Sequence, residues 1–332
     1  MSLSDAIRHE ARALGFDAVG ISRVGLAVPF LESNQSPDSL SARLLEWLRR
    51  GYHGVMTWME RNPPRRADPG LVLHGCRSII SVGMNYYTSF RADERPGHGR
   101  IARYAWGNDY HRVMRDRLEQ LEHRIKVLAP DARTRSYVDT GPVMEKAWAQ
   151  EAGLGWIGKH SNLVSTQFGS WLLLGEVLTT LDLDPDEPAT DLCGSCTLCI
   201  KACPTGAIVE PYIVDARRCV SYLTIELRGT ADPIPDELAT RMGNRIFGCD
   251  DCLDVCPYNV HAQPTAEPAF QPSPLTLASS FKRLGSLDER SFVTTFQHSP
   301  IRRSTHTGLR RNITIAQQNE TRHPAAHSVT GP

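Results

Sequence analysis

The sequence predicts a mixed α/β domain, then a compact cysteine-rich domain, then a short helical tail. Three observations carry this prediction. Helix-like and strand-like patterns alternate through roughly the first 180 residues, eight of the nine cysteines fall between Cys193 and Cys256, and two Pro-containing polar stretches, DLDPDEPATD and QPTAEPAFQPSPLT, flank the cysteines as linkers. The segments so marked are 1–182, 183–262 and 263–332. A chain of 332 residues at roughly 100–200 residues per domain has room for two or three domains and is no stapled miniature scaffold.

The elements follow in chain order. Ile7, Ala11 and Leu14 give a first amphipathic helix, and DAVGIS reads as a strand. SARLLEWLRR is again helical and SIISVGMNYY again a strand. From Asp109 a long helix repeats apolar residues at Val113, Leu118, Leu121, Ile125 and Leu128 and stops at Pro130. SYVDT is a short strand closed by Gly141-Pro142, VMEKAWAQEA a helix, and WLLLGEVLTT a buried strand. Beyond the second linker, Ile301, Leu309, Ile313 and Ala316 stand near helical spacing, whereas NETRHPAAHSVTGP is polar and reads as frayed.

Lys+Arg and Asp+Glu both total 37, so bulk charge argues for no nucleic-acid partner and only a local patch could. Such patches exist. Arg91 to Arg135 carries eleven basic against seven acidic residues, and the chain from Phe281 onward eight against three, while Glu176 to Asp191 is wholly acidic. No stretch reaches the roughly 18 apolar residues of a membrane span, and the amphipathic start lacks a signal-peptide core. The expectation is a cytoplasmic protein with no membrane contact, in which clustered cysteines mean metal or redox chemistry rather than disulfides.

CGSCTLCIKACP places Cys193, Cys196, Cys199 and Cys203 at the C-x2-C-x2-C-x3-C-P spacing of bacterial ferredoxins. Cys219, Cys249, Cys252 and Cys256, followed by Pro257, form a second set with a long insertion after its first member. By the crossed logic of two-cluster ferredoxins, Cys193, Cys196, Cys199 and Cys256 hold one 4Fe-4S cluster and Cys203, Cys219, Cys249 and Cys252 the other. Structural zinc also takes Cys-x2-Cys pairs, but commonly as two separated pairs rather than three cysteines in seven residues and then Cys-Pro. Paired clusters mean electron transfer and name no substrate.

Other strings are weaker. GLGWIG, at Gly153, Gly155 and Gly158, matches a dinucleotide fingerprint, yet it follows a helix instead of a strand. A loop letting backbone approach some other large ligand suits it better. Asp139 ends a short strand before Thr-Gly-Pro, where it either donates a proton into a pocket or accepts hydrogen bonds within a turn. DYHRVM begins like a corrinoid-binding D-x-H-x-x-G motif but has Met114 in place of the glycine, which puts His111 on the polar face of the long helix. Cys76 reads as a small buried hydrophobe.

The strings YVDTGPVMEKAWAQEAGLGWIGKHSNLVS, DLCGSCTLCIKACPTGAI, CVSYLTIELRG and FGCDDCLDVCPYN, in this order and spacing, together resemble the epoxyqueuosine reductase family, the cobalamin-dependent iron-sulfur enzymes of tRNA queuosine modification. The likeness covers roughly residues 1–260. It implies an N-terminal domain similar in fold to the cofactor domain of reductive dehalogenases, holding base-off cobalamin beside two clusters, with Tyr104, Asp139, Gly158, Lys159, His160, Ser161 and Asn162 as contacts. It further implies that Asp139 protonates the departing epoxide oxygen, that an external low-potential donor supplies electrons, and that the protein is a monomer.

The tail resembles the start of the family's HEAT-like helices, with QQN where Leu-Gly-Asn is typical. Arg302, Arg303, Arg310 and Arg311 are its candidate tRNA contacts. A solvated helix face is the other reading of these four. The alternative function is a corrinoid and iron-sulfur reductase of a small molecule, which would turn over without RNA.

Overall fold

The computed structural model describes residues 1–25, 40–228 and 233–322. Two compact units emerge, and their limits differ from the three segments expected from composition. The first takes the described residues of Met1–Asn85 with His111–Cys196 and Pro257–Ala262; the second takes Tyr86–Tyr110, the described residues of Thr197–Cys256 and those from Gln263 onward. The reason is non-local pairing. Strand His98–Ile101 joins strands Arg245–Phe247 and Ser279–Ser280, which draws its segment away from the N-terminal sheet.

In the first unit a four-stranded sheet runs Ala18–Arg23, Ser78–Asn85, Leu172–Thr179, Thr134–Tyr137, every neighbour antiparallel. The apolar run Ile79, Ile80, Val82, Met84 is wholly buried, because helices cover both faces of the sheet. Helix Tyr110–Leu128 buries Met114, Leu118, Leu121 and Ile125 at the spacing of one helical stripe. It packs on Gly175, where a Cβ would stand 3.1 Å from Leu118. Truncating such a core leucine to alanine costs about 2–5 kcal/mol.

Helix Glu145–Glu151 packs against Ala18–Arg23, Ser78–Asn85 and Leu172–Thr179. The approach is close at Gly20, where a Cβ would lie 1.9 Å from the Ala152 carbonyl oxygen just past the helix end. Gly20, Ser81, Glu176 and Tyr137 form one row across all four strands. Gly175 and Glu176 are adjacent, so their side-chain directions point to opposite faces. The row therefore lies on the short helix's side of the sheet and the long helix on the other.

In the second unit Ile101, Trp106, Phe247, Phe281, Leu309 and Ile313 belong to one core cluster. Helix Thr305–Arg322 is part of this core rather than an appendage. Its buried Asn312 donates to the Thr224 and Ile246 carbonyls, both at 2.9 Å, and Asn319 to those of Ala239 and Gly243. The stretch expected to fray therefore begins as the last turn of a helix; its residues 323–332 lie outside the described residues. Among the described residues, no helix is long and apolar enough to cross a membrane.

Candidate functional site

Asp139 occupies a strained turn in the first unit. The Thr140 N–H donates to the Val138 carbonyl at 2.5 Å with Asp139 at φ 53°, a γ-type turn of the rare positive-φ kind. Gly141 is required beside it, since a Cβ there would strike the Tyr137 ring at 2.3 Å. The Asp139 carboxyl group is 57% exposed and lies 3.5 Å from His111 Nε2. Asp139 thus forms a turn, and its carboxyl points out of it.

The start of helix Glu145–Glu151 braces two loops. Glu145 Oε1 accepts the Asp139 backbone N–H at 2.5 Å, while the Lys146 ammonium donates to the Ser161 carbonyl at 2.7 Å and to Asn162 Oδ1 at 3.1 Å. Loop Gly158–Asn162 closes on itself through Gly158 N–H to the Asn162 carbonyl and Ser161 N–H to the Gly158 carbonyl, both at 2.8 Å. Ser161 takes φ 62° to do so. His160 Nδ1 accepts the Asn162 N–H at 3.1 Å, which leaves the ring proton on Nε2, 3.4 Å from Ser170 Oγ. Burial, and then the Lys146 charge, lower its pKa to about 4. GLGWIG is not a nucleotide fingerprint here, for Gly153 follows the helix end with φ 76° and Trp156–Ile157 is a strand.

Lys159 has a different task from that expected. Its buried ammonium donates to the carbonyls of Gly194 at 2.5 Å and Cys196 at 2.9 Å, gripping the first cysteine loop. Trp156 Nε1 donates to Cys193 Sγ at 3.4 Å, and its ring meets Tyr258 edge-on at 4.8 Å. A cation and an N–H donor thus face the first cysteine loop from the Gly-rich segment.

Within the second unit, Cys203, Cys219, Cys249 and Cys252 come together. Burial first, and then the neighbouring thiols, push Cys252 well above its usual range, and the Cys219 thiol is raised in the same way. Burial, the Asp251 charge and more weakly Cys219 take Cys249 to about 12. Backbone N–H groups still point at sulfur, as from Ala207 to Cys203 Sγ at 3.1 Å and from Ser221 and Tyr222 to Cys219. Cys203, Cys219 and Cys249 all act electrostatically on Cys252, and thiols that neighbour one another in this way favour a positively charged group between them. Arg100 reaches Asp251 and Asp254 at 3.3 Å beside them, and burial followed by Asp254 raises Asp250 to about 7.

Tyr104 belongs to the second unit, half-buried against Tyr110 and Phe247. Arg311 is a correction, since its guanidinium donates to the carbonyls of Leu227 at 2.6 Å and Leu223 at 2.7 Å. It caps the end of helix Val220–Ile225, where carbonyls lack partners, instead of facing solvent. Arg303 pairs with Glu226 at 2.6 Å, and Arg302 and Arg310 are exposed. Cys76 is a buried core residue, as expected.

Sequence reasoning missed Glu145, Glu176 and Trp156. Glu176 left a readable signal as a carboxylate inside the apolar run WLLLGEVLTT, but nothing local told what faces it.

Residues 66–140 match the family described as epoxyqueuosine reductase QueG, DUF1730, and residues 192–259 match the 4Fe-4S double cluster binding domain. The chain is 42% identical to an epoxyqueuosine reductase of Cellulophaga algicola over 93% of its own length and 96% of that protein's. A solved epoxyqueuosine reductase with an epoxyqueuosine-modified tRNA stem loop is 33% identical with a TM-score of 0.85, covering 96% of this chain and 81% of that one. The Bacillus subtilis enzyme, with its catalytic aspartate loop swung out of the active site, is 31% identical with a TM-score of 0.84, covering 97% and 83%. Matched along nearly all of its length, and carrying the double-cluster cysteines and the Asp139 turn, the chain belongs to the epoxyqueuosine reductase family and is an oxidoreductase.

Proposed function

We propose that the chain removes the epoxide oxygen of epoxyqueuosine in the anticodon loop of tRNA, giving queuosine and water, the last step of queuosine formation. The deoxygenation takes two electrons and two protons. The electrons come from an external low-potential donor through two 4Fe-4S clusters, one on Cys193, Cys196, Cys199 and Cys256, the other on Cys203, Cys219, Cys249 and Cys252, a pairing that rests on their spacing. Asp139 delivers a proton to the departing oxygen. The observation that carries this reading is its exposed carboxyl, held in a turn at positive φ, because a general acid must present its proton outward from a fixed position.

Base-off cobalamin is the implied cofactor, and when bound it supplies the low-potential centre that acts on the epoxide. The residues present fit it. A tight, backbone-lined loop, Gly158–Asn162, and the acid turn are braced by neighbouring residues of one helix, and loop backbone of this kind meets large flat groups closely. Gly158, Ser161 and Asn162 would line it, with His160 supporting the loop. Lys159 is spoken for by the cysteine loop. Arg302 and Arg310, exposed on the second unit, are the candidates for contacts with tRNA phosphates. The protein is expected to be a cytoplasmic monomer.

The test is anaerobic turnover of epoxyqueuosine-containing tRNA by cluster-reconstituted protein and a low-potential reductant, with and without cobalamin, read by nucleoside mass spectrometry. Cobalamin-dependent queuosine supports the proposal. Absence of queuosine with iron, sulfide and corrinoid all bound refutes the substrate, and turnover of a free small molecule without RNA supports the alternative reductase.

A further inference from the structure

Beneath the Asp139 turn lies a carboxyl pair that the proposed reaction does not use. Glu176 sits in mid-strand, 0% exposed, and neither of its oxygens has a hydrogen-bond partner of ordinary geometry. Its row neighbours Ser81 and Tyr137 also carry buried, unpartnered hydroxyls. Folds rarely keep such groups without a reason. After burial itself, the charge that acts on Glu176 most strongly is that of Glu145, whose Oε1 takes the Asp139 N–H. The Glu145 and Glu176 carboxyls act on each other, and like charges brought together disfavour ionisation. Burial and then mutual repulsion raise Glu176 far above its usual range; burial and then the Asp139 charge take Glu145 to about 7.

We propose that Glu145 and Glu176 form the latch that keeps the Asp139 turn in its acid-presenting shape, Glu145 as a positioning residue on the Asp139 backbone and Glu176 as the buried, sheet-fixed group that orients Glu145. The turn needs one. Its own hydrogen bond, from Thr140 to Val138, is local and ties it to nothing else, while a positive-φ residue relaxes once its anchor goes. His111, on the long helix, steers the carboxyl, while Glu145 holds the Asp139 amide. The inference rests on Asp139 being the acid and deepens that reading.

The experiment compares Glu145→Ala, Glu145→Gln and Asp139→Asn in the reconstituted, cobalamin-loaded full chain. Glu145→Ala should lower kcat on the order of tenfold or more, the scale of a lost hydrogen bond to a charged acceptor, with KM for the tRNA unchanged. Glu145→Gln, which keeps an oxygen at the same place, should restore most of kcat. In parallel, hydrogen exchange of the peptide spanning residues 134–144 should quicken in Glu145→Ala and return toward the parent in Glu145→Gln, a readout independent of turnover. Unchanged kcat and exchange in Glu145→Ala would overturn the latch, as would a Glu145→Gln variant as impaired as Glu145→Ala in both. Should Asp139→Asn keep full turnover, the acid reading fails instead, and the exchange data alone then decide whether Glu145 latches the turn. Glu176→Gln, uncharged and able to donate to Glu145, should match the parent in exchange; faster exchange there would remove Glu176 from the latch.

Discussion

Lys159 and Cys196 are joined by a 2.9 Å bond from the buried ammonium to the carbonyl oxygen, so a fixed positive charge sits against a cysteine loop that is to carry a cluster. Positive charge and N–H donors near sulfur favour the reduced, more negative state of such clusters.

Lys159→Met should therefore make one cluster harder to reduce, by tens of millivolts, where about 59 mV is a tenfold shift for one electron. Trp156→Phe, which keeps an aromatic ring but removes the N–H on Cys193, should shift it in the same direction. Redox titration followed by electron paramagnetic resonance reads both. An unmoved potential in both variants would deny that these side chains tune the cluster.

Asp139→Asn leaves the turn's backbone bonds possible but removes the transferable proton. Its turnover should fall roughly 10²- to 10⁴-fold, the usual worth of a general acid, with iron and corrinoid content unchanged. Undiminished turnover would take Asp139 out of the proton transfer.

Cys252→Ala removes one of four mutually interacting thiols in the second unit. Iron should fall from about eight toward about four per chain, the remaining cluster keeping its spectrum. Cys256→Ala should disturb the other cluster, and loss of the same signal in both variants would contradict the crossed pairing.

His160 links stability to pH. Its folded-state pKa, lowered by burial to about 4, lies below the ordinary imidazole value of about 6.5, so the fold prefers the neutral ring. The stabilisation is whole above pH 6.5 and is lost as pH falls from 6.5 toward 4, by up to about 3 kcal/mol. Urea unfolding at pH 7.5 and pH 5 should show a steeper loss in the parent than in His160→Gln; parallel losses would mean that the ring already titrates freely.

Among the tail arginines, Arg302→Ala and Arg310→Ala should each weaken tRNA binding and reduce its salt dependence by roughly one phosphate contact. Arg311→Ala should instead lower the unfolding midpoint, because it removes the donors to the Leu223 carbonyl in the last turn of helix Val220–Ile225 and to the Leu227 carbonyl just past it. Equal effects of all three on binding alone would return Arg311 to the RNA surface.

What the sequence determined by itself was everything written in local period or local spacing. The stripe Leu118, Leu121, Ile125 declared a helix, the run of residues 78–85 a buried strand, and the two Cys-x2-Cys series a pair of clusters, since each signal lies within a few turns or pleats of the chain. Asp139 stood out for the same reason, beside its Thr-Gly-Pro. Tertiary structure decided what meets what. It sent Lys159 to the cysteine loop rather than to solvent or cofactor, turned Arg311 inward onto a helix end, and moved the segment Tyr86–Tyr110 into the second unit. It also set Glu145 against Glu176 beneath the acid turn. These outcomes depend on strand register and helix docking between residues tens to hundreds of positions apart, and one residue's slip in register would have turned Glu176 to the opposite face of the sheet.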